Sequence, residues 1–303
     1  MERKIRTAFR RDKRGQTQLK QIAVLSGKGG TGKTTITASF AVLAQRSVIV
    51  DCDVDAPDLH MLLHPKIIET QEFKGSKLAE IDPSRCVECG LCQEICRFNA
   101  ITDFQVDPIH CEGCGTCLLV CPEDAISLKE RVSGEAFISK TEYGTLSHAF
   151  LFPGEGNSGK LVALVRDNAR KVAEKENCDL ILIDAPPGIA CPAIASVSGV
   201  DVGVIVTEPT VSGIHDMERA LRLLAHFGVL PLMCINKYDI NEMNTQKIEK
   251  FCKKNKIEVV GKILYNPIVT KALVSEKPVV VFSPENMVSR EIERMWKRVL
   301  DNV

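Results

Sequence analysis

No run of apolar residues in this sequence approaches the roughly 18 to 20 needed to span a bilayer as a helix, and its first residues lack the apolar stretch of a secretory signal. These absences argue against a helical membrane protein and a secreted one, and a reducing cytoplasm is the expected setting. Net charge is also missing, since 39 Lys and Arg balance 39 Asp and Glu across 303 residues, so overall charge points to no partner. The balance conceals a split. Residues 1–20 hold eight Lys/Arg against two acids, and residues 79–130 hold ten acids against three Lys/Arg. The basic tail (Arg3, Lys4, Arg6, Arg10, Arg11, Lys13, Arg14) has no interleaved aromatics, so neither nucleic acid nor a membrane is an expected partner.

Cysteine, in contrast, is abundant. Eight of the thirteen cysteines form two copies of C-x2-C-x2-C-x3-C: Cys86, Cys89, Cys92 and Cys96, then Cys111, Cys114, Cys117 and Cys121. In an intracellular-looking chain this spacing reads as metal ligation and not as disulfides. It matches the bacterial two-cluster ferredoxin run, in which the fourth cysteine of each motif ligates the other cluster. Crossed ligation is therefore expected, with one [4Fe–4S] cluster on Cys86, Cys89, Cys92 and Cys121 and a second on Cys96, Cys111, Cys114 and Cys117. Zinc is the alternative, although structural zinc sites usually pair two separated C-x-x-C units. Pro122 follows the second motif as in ferredoxins, whereas Arg97 replaces the proline after the first.

Around this segment the pattern alternates between strands and helices. Strands are expected at 21–26, 47–51, 179–184, 202–207 and 230–236, and helices at about 34–45, 161–174, 212–227 and 244–254. Unbroken runs such as Leu180-Ile181-Leu182-Ile183 fit strands buried on both faces. The fold class is α/β, a doubly wound and mostly parallel sheet. Three parts are expected: a basic tail over 1–20, an α/β domain over 21–77 and 131–303, and a small metal-organised insert over 78–130.

Gly27-Lys28-Gly29-Gly30-Thr31-Gly32-Lys33-Thr34-Thr35 satisfies G-x4-G-K-[ST] between a strand and a helix. Backbone N–H groups of such a loop cradle phosphate oxygens, its lysine (Lys33) reaches the terminal phosphates, and its hydroxyl (Thr34) ligates Mg²⁺. Gly154 to Lys160 repeats G-x4-G-K, but Leu161 stands where the Mg²⁺ ligand would be, so it is read as a loop entering a helix.

Lys28, a second lysine directly after the first glycine, marks a deviant Walker A loop. On these residues the chain resembles the MinD and nitrogenase-iron-protein superfamily of the CobQ/CobB/MinD/ParA type, over about residues 20–65 and 150–300. The resemblance implies an ATP-sandwiched homodimer in which Lys28 reaches the partner subunit's nucleotide. Asp51-Cys52-Asp53-Val54-Asp55 looks like switch I, with Asp53 orienting the attacking water and Asp51 or Asp55 holding Mg²⁺ waters. Asp184 in Asp-Ala-Pro-Pro-Gly looks like Walker B and switch II, with Asp184 binding Mg²⁺ through water and Gly188 as a hinge. Asn236 of Asn-Lys-Tyr-Asp is the expected adenine contact, which favours ATP over GTP. Cys191, seven residues beyond Asp184, matches the spacing of a cluster-ligating cysteine in the nitrogenase iron protein and is a candidate interface metal ligand; the other four cysteines are expected to be small buried hydrophobes.

The whole chain most resembles MinD-superfamily ATPases with an inserted ferredoxin domain. That resemblance implies a Mg²⁺-dependent ATPase coupling hydrolysis to electron transfer or to metallocofactor assembly, with a redox or cofactor-receiving partner protein. The other reading is a MinD-like or ParA-like positioning ATPase with a redox-sensing insert. Its support is the stripe Ile292, Met295, Trp296, Val299 and Leu300, the apolar face of an amphipathic C-terminal helix.

Overall fold

The computed structural model describes residues 19–303; the basic tail read at 1–20 lies almost wholly outside them. In chain order the strands are β1 (Lys20–Leu25), β2 (Ser47–Asp51), β3 (Lys66–Phe73), β4 (Ser76–Ile81), β5 (Ile101–Thr102), β6 (Gln105–Val106), β7 (Ile126–Arg131), β8 (Gly134–Lys140), β9 (Gly144–Leu151), β10 (Leu180–Asp184), β11 (Val202–Thr207), β12 (Leu230–Asn236) and β13 (Glu258–Ile263). Nine form one sheet in the order β13-β12-β11-β1-β10-β2-β9-β8-β3. The pairings from β13 across to β9 are parallel, as the continuous apolar runs require.

The residues divide into two compact units. The larger comprises the chain up to Thr70, Ala136–Ala149 and Ser158–Val303. Its core joins inward residues of β1, β10, β11 and β12 to Phe40 of helix Lys33–Ala44 and to helix Met287–Leu300. Phe40 and Trp296 meet with ring centroids 4.8 Å apart, and Ile292, Met295, Trp296 and Val299 are all buried. The C-terminal stripe therefore packs against the sheet through hydrophobic burial, which removes the observation that pointed to a membrane-lying helix. No helix among the described residues is long and apolar enough to cross a membrane.

The smaller unit is Gln71–Glu135 with Phe150–Asn157, wider than the expected insert of 78–130. Polar contacts explain the width. Arg131 pairs with Glu155 and donates to the Pro108 carbonyl, Ser76 Oγ donates to Glu155 Oε2 at 2.9 Å, and Asn157 Nδ2 donates to the Gly75 carbonyl at 2.7 Å. Within this unit two halves repeat the same devices. Helix Leu91–Ile95 starts after Gly90 at φ 81° and helix Thr116–Val120 after Gly115 at φ 78°, a left-handed conformation that glycine adopts without a Cβ clash. β4 pairs with β7 in antiparallel fashion and β5 with β6. The buried apolar cluster at its centre is small, built from Ala79, Cys92, Ile101, Cys117 and Ile126.

Candidate functional site

The end of β1 feeds Ser26 into the glycine loop, which runs into helix Lys33–Ala44 with Gly32 as its first cap at φ 89°. A side chain is excluded at Gly32 twice over, by that φ and because a Cβ would lie 2.5 Å from Asn236 Nδ2. Gly29 to Thr35 line an open cleft of about 590 Å³ that Asp53, Asp58, Met61, Pro187 and Leu273 also border. Two features fit a bound phosphate group. The loop presents backbone at a helix N-terminus, where N–H groups and the helix dipole favour an anion, and the Thr31 hydroxyl is buried with no hydrogen-bond partner.

β1 and β10 lie side by side with Val24 opposite Asp184, which brings the Walker B carboxylate beneath the loop. Lys33 Nζ is 2.9 Å from Asp184 Oδ2; Thr34 Oγ1 donates to the same oxygen at 2.9 Å and Thr37 Oγ1 to Oδ1 at 2.7 Å. Burial alone would lower the Lys33 pKa, but the Asp184 charge and hydrogen bond, with Asp51 and Asp53 behind them, hold it above the usual lysine value. Asp184 and Thr34 together offer the oxygen pair a Mg²⁺ ion takes, with most of its shell left to water and phosphate. Gly188 N donates to the Ser26 carbonyl at 3.0 Å, tying switch II to the loop base.

The three acids of switch I separate by environment. Asp53 is half-buried and lines the cleft, and burial raises its pKa. Asp55 is exposed and does not border the cleft. Asp51 is buried and turned to its own backbone, accepting from Asp53 N at 3.0 Å and Leu59 N at 3.2 Å; it shapes the loop that carries Asp53. Burial, then the Asp184 charge, pushes the Asp51 carboxyl up to about 7. An acid whose folded pKa exceeds its unfolded value favours the fold most below the unfolded pKa, and that gain is lost as pH rises through the folded one. The nucleotide-free, Mg²⁺-free protein should therefore melt at a higher temperature at pH 5.5 than at pH 8, and thermal melts of Asp51→Asn should show this slope reduced.

Asn236, the residue the resemblance offers as an adenine contact, is joined to the phosphate loop in the nucleotide-free chain. Its Nδ2 donates to the Thr31 carbonyl at 2.8 Å and its Oδ1 accepts from Lys237 N at 3.0 Å, so it braces the phosphate loop. The Asp of Asn-Lys-Tyr-Asp is also engaged, since Asp239 Oδ1 accepts from Tyr265 N at 2.6 Å. Lys28 remains with its own chain, its Nζ 3.6 Å from Glu208 Oε2. Sequence reasoning missed Glu208 and Asp58, because neither sits in a motif; only their folded neighbours distinguish them.

In the smaller unit, Cys86, Cys89, Cys92 and Cys121 line one cavity, and Cys96, Cys111, Cys114 and Cys117 line another. Each cavity thus takes three thiols from one motif and the last from the other. The two fourth cysteines sit alike: Ala100 N donates to Cys96 Sγ and Ala125 N to Cys121 Sγ, both at 3.3 Å. All eight are free of disulfides. Among the described residues no three His, Cys, Asp or Glu side chains converge to chelate a single metal ion; the eight thiols are distributed around the two cavities. Cys52, Cys234 and Cys252 are fully buried, Cys178 is half-buried, and Cys191 is exposed at the start of helix Cys191–Val197 with no metal-holding group around it.

With this geometry in hand, comparison with known proteins places the core. Residues 22–279 match the model of the CobQ/CobB/MinD/ParA nucleotide binding domain. An uncharacterized protein of Methanocaldococcus jannaschii, MJ0578, is 38% identical over 227 residues, 74% of this chain and 80% of that one. The septum site-determining protein MinD of Bacillus subtilis is 23% identical over 291 residues, covering 92% and 88%. Among solved structures, MinD of Pyrococcus horikoshii complexed with Mg-ADP superposes with a TM-score of 0.58 at 18% identity, covering 93% of this chain and 96% of that one. A ParA family ATPase of Chlorobium tepidum gives 0.55 at 17%, covering 92% and 98%. The phosphate loop, the Asp184 carboxylate beneath it and the matched span agree: this chain belongs to the CobQ/CobB/MinD/ParA family of nucleotide-binding proteins.

Proposed function

We propose that the protein is a Mg²⁺-dependent ATPase carrying two [4Fe–4S] clusters, and that it couples the nucleotide cycle to electron transfer or to cofactor assembly. The observation that carries the cluster half is the crossed partition of eight thiols between two cavities, the ligation pattern of two-cluster ferredoxins. Clusters bound there would supply one-electron storage. The ATPase half rests on Lys33, Thr34 and Asp184 gathered under a phosphate loop and on the family. A second copy of the chain is the proposed partner in the nucleotide-bound state, with Lys28 as the residue that crosses to it.

ATP is preferred over GTP because the similar MinD of Pyrococcus horikoshii is complexed with an adenine nucleotide, Mg-ADP. Competition binding should show ATP displacing a labelled nucleotide about tenfold better than GTP, the scale of one hydrogen bond to the base. Equal affinities would contradict this assignment.

The names of the relatives favour a second reading, a positioning ATPase with a redox-sensing insert. Both readings share the nucleotide site, and they part on what ATP does to the clusters. Reductive titration of anaerobically purified protein with and without Mg-ATP separates them. The coupling reading expects nucleotide to shift the midpoint potential. An unmoved potential together with ATP-dependent co-sedimentation with vesicles or DNA would favour the positioning reading.

A further inference from the structure

Glu208, just past the end of β11, is a buried carboxylate that holds two lysines at once. Its Oε2 lies 3.6 Å from Lys28 Nζ and its Oε1 2.5 Å from Lys237 Nζ. Lys237 also donates to the Gly30 carbonyl of the phosphate loop at 3.4 Å. Lys28 donates further to Thr210 Oγ1 at 3.5 Å and Ser212 Oγ at 3.3 Å. Every group that seats the signature lysine thus comes from the short segment following β11.

That seat is electrostatically poor without the glutamate. Thr210 caps helix Val211–His226, accepting from Gly213 N at 3.0 Å, and the helix has no acid in its first turn. A cation beside a helix N-terminus faces the positive end of the dipole, and two hydroxyls offset only part of that repulsion. The root of Lys28 is fixed as well, for a Cβ at Gly27 would fall 2.4 Å from Asp216 Cβ on the same helix. Lys28 therefore swings from an anchored backbone, and its resting position depends on one carboxylate. Removal of Lys28 from this seat leaves Glu208 still paired with Lys237, so the release does not strand a buried charge.

We infer that Glu208 is the positioning residue for Lys28: in the nucleotide-free chain it retains the ammonium on its own subunit, and Lys28 must leave it before acting at a phosphate. The inference rests on the reading that Lys28 serves in phosphoryl transfer. Lys237 shares the carboxylate and touches the Gly30 carbonyl, so a nucleotide entering the loop disturbs the same three-residue contact.

Amine acylation followed by mass spectrometry tests this on the full, nucleotide-free chain. Loss of the carboxylate partner frees the Lys28 amine, so Glu208→Gln should raise Lys28 labelling about threefold to fivefold relative to the other lysines, the range of a partly exposed ion pair. Ser212→Ala, at an exposed residue, should raise it less and provides the test should Glu208→Gln not fold. Lys28 labelling unchanged in the folded variants would overturn the inference. ATP turnover by Lys28→Ala is read separately. Its loss supports the transfer role, whereas full turnover removes that role and the inference with it, even where labelling has risen.

Discussion

Lys33→Ala should reduce Mg-ATP turnover to about a thousandth of the wild-type rate or less, the scale seen when a charge on the transferring phosphoryl group is removed. The geometry explains why so large an effect is expected from one side chain. Lys33 is buried beside Asp184 at 2.9 Å, with Asp51 and Asp53 close enough to raise its pKa. Its charge faces all three carboxylates before a nucleotide arrives. Without it, Asp184 and Asp51 face each other across a dry site, and protonation of one of them becomes favourable. The variant should thus remain folded while failing in turnover. The reverse change, Asp184→Asn, removes the nearest countercharge of a buried ammonium, leaving Asp51 and Asp53 farther off, and should cost stability as well, up to about 3 to 5 kcal/mol for a broken buried pair. A steady-state ATPase assay beside a thermal melt distinguishes the two. Turnover by Lys33→Ala within tenfold of wild type would contradict the assigned phosphate site.

Stripping iron with a chelator should unfold the smaller unit and leave the larger one intact. The smaller unit has a small buried apolar cluster, and two of its members, Cys92 and Cys117, are proposed ligands. So small a core does not offset the entropy of ordering a unit of this size, and in metal-organised domains the binding energy is itself folding energy. Limited proteolysis of stripped protein should cut within 71–135 within minutes while the sheet of the larger unit, with β2, β10 and β11 fully buried, resists. Single substitutions refine the test: Cys121→Ser should remove the same cluster as Cys86→Ser, because both line one cavity, and leave the other. A stripped protein as protease-resistant as the loaded one would show that the clusters do not organise the unit.

The phosphate loop was legible because its requirements are local: glycine where φ is positive, a lysine and a hydroxyl at fixed offsets before a helix. The limits expected for β2, β11 and β12 coincide with those observed, since short, mostly apolar runs bounded by polar and turn residues leave little freedom. β8 and β9 were missed. Their sequences, Gly-Glu-Ala-Phe-Ile-Ser-Lys and Gly-Thr-Leu-Ser-His-Ala-Phe-Leu, mix buried Ser139, Thr145, Ser147 and His148 with apolar residues, and neither periodicity emerges. Those polar groups are buried because they find partners, Ser139 Oγ with His148 Nε2 at 2.9 Å and Ser147 Oγ with the Val165 carbonyl at 2.8 Å. Partners distant in sequence leave no local mark.

The same reason explains the site residues whose roles differ. Asp51 sits in an acidic triplet that reads as metal-binding, yet its two oxygens accept backbone N–H groups two and eight residues on. Asn236 reads as a base contact, and in the nucleotide-free chain its amide also braces the Thr31 carbonyl. Glu208 belongs to no motif, and its importance comes from lysines 180 residues before it and 29 after it. Residue types and spacing convey which chemistry is present. The allocation of each side chain between substrate and scaffold depends on long-range packing.

The central claim is that one chain joins a nucleotide site to two four-iron clusters held in crossed fashion. Iron and acid-labile sulfide assayed against protein after anaerobic purification test it most directly. The account predicts about eight irons and eight sulfides per chain, two four-iron clusters. Protein purified the same way with near-zero iron, or with zinc in its place, would contradict it.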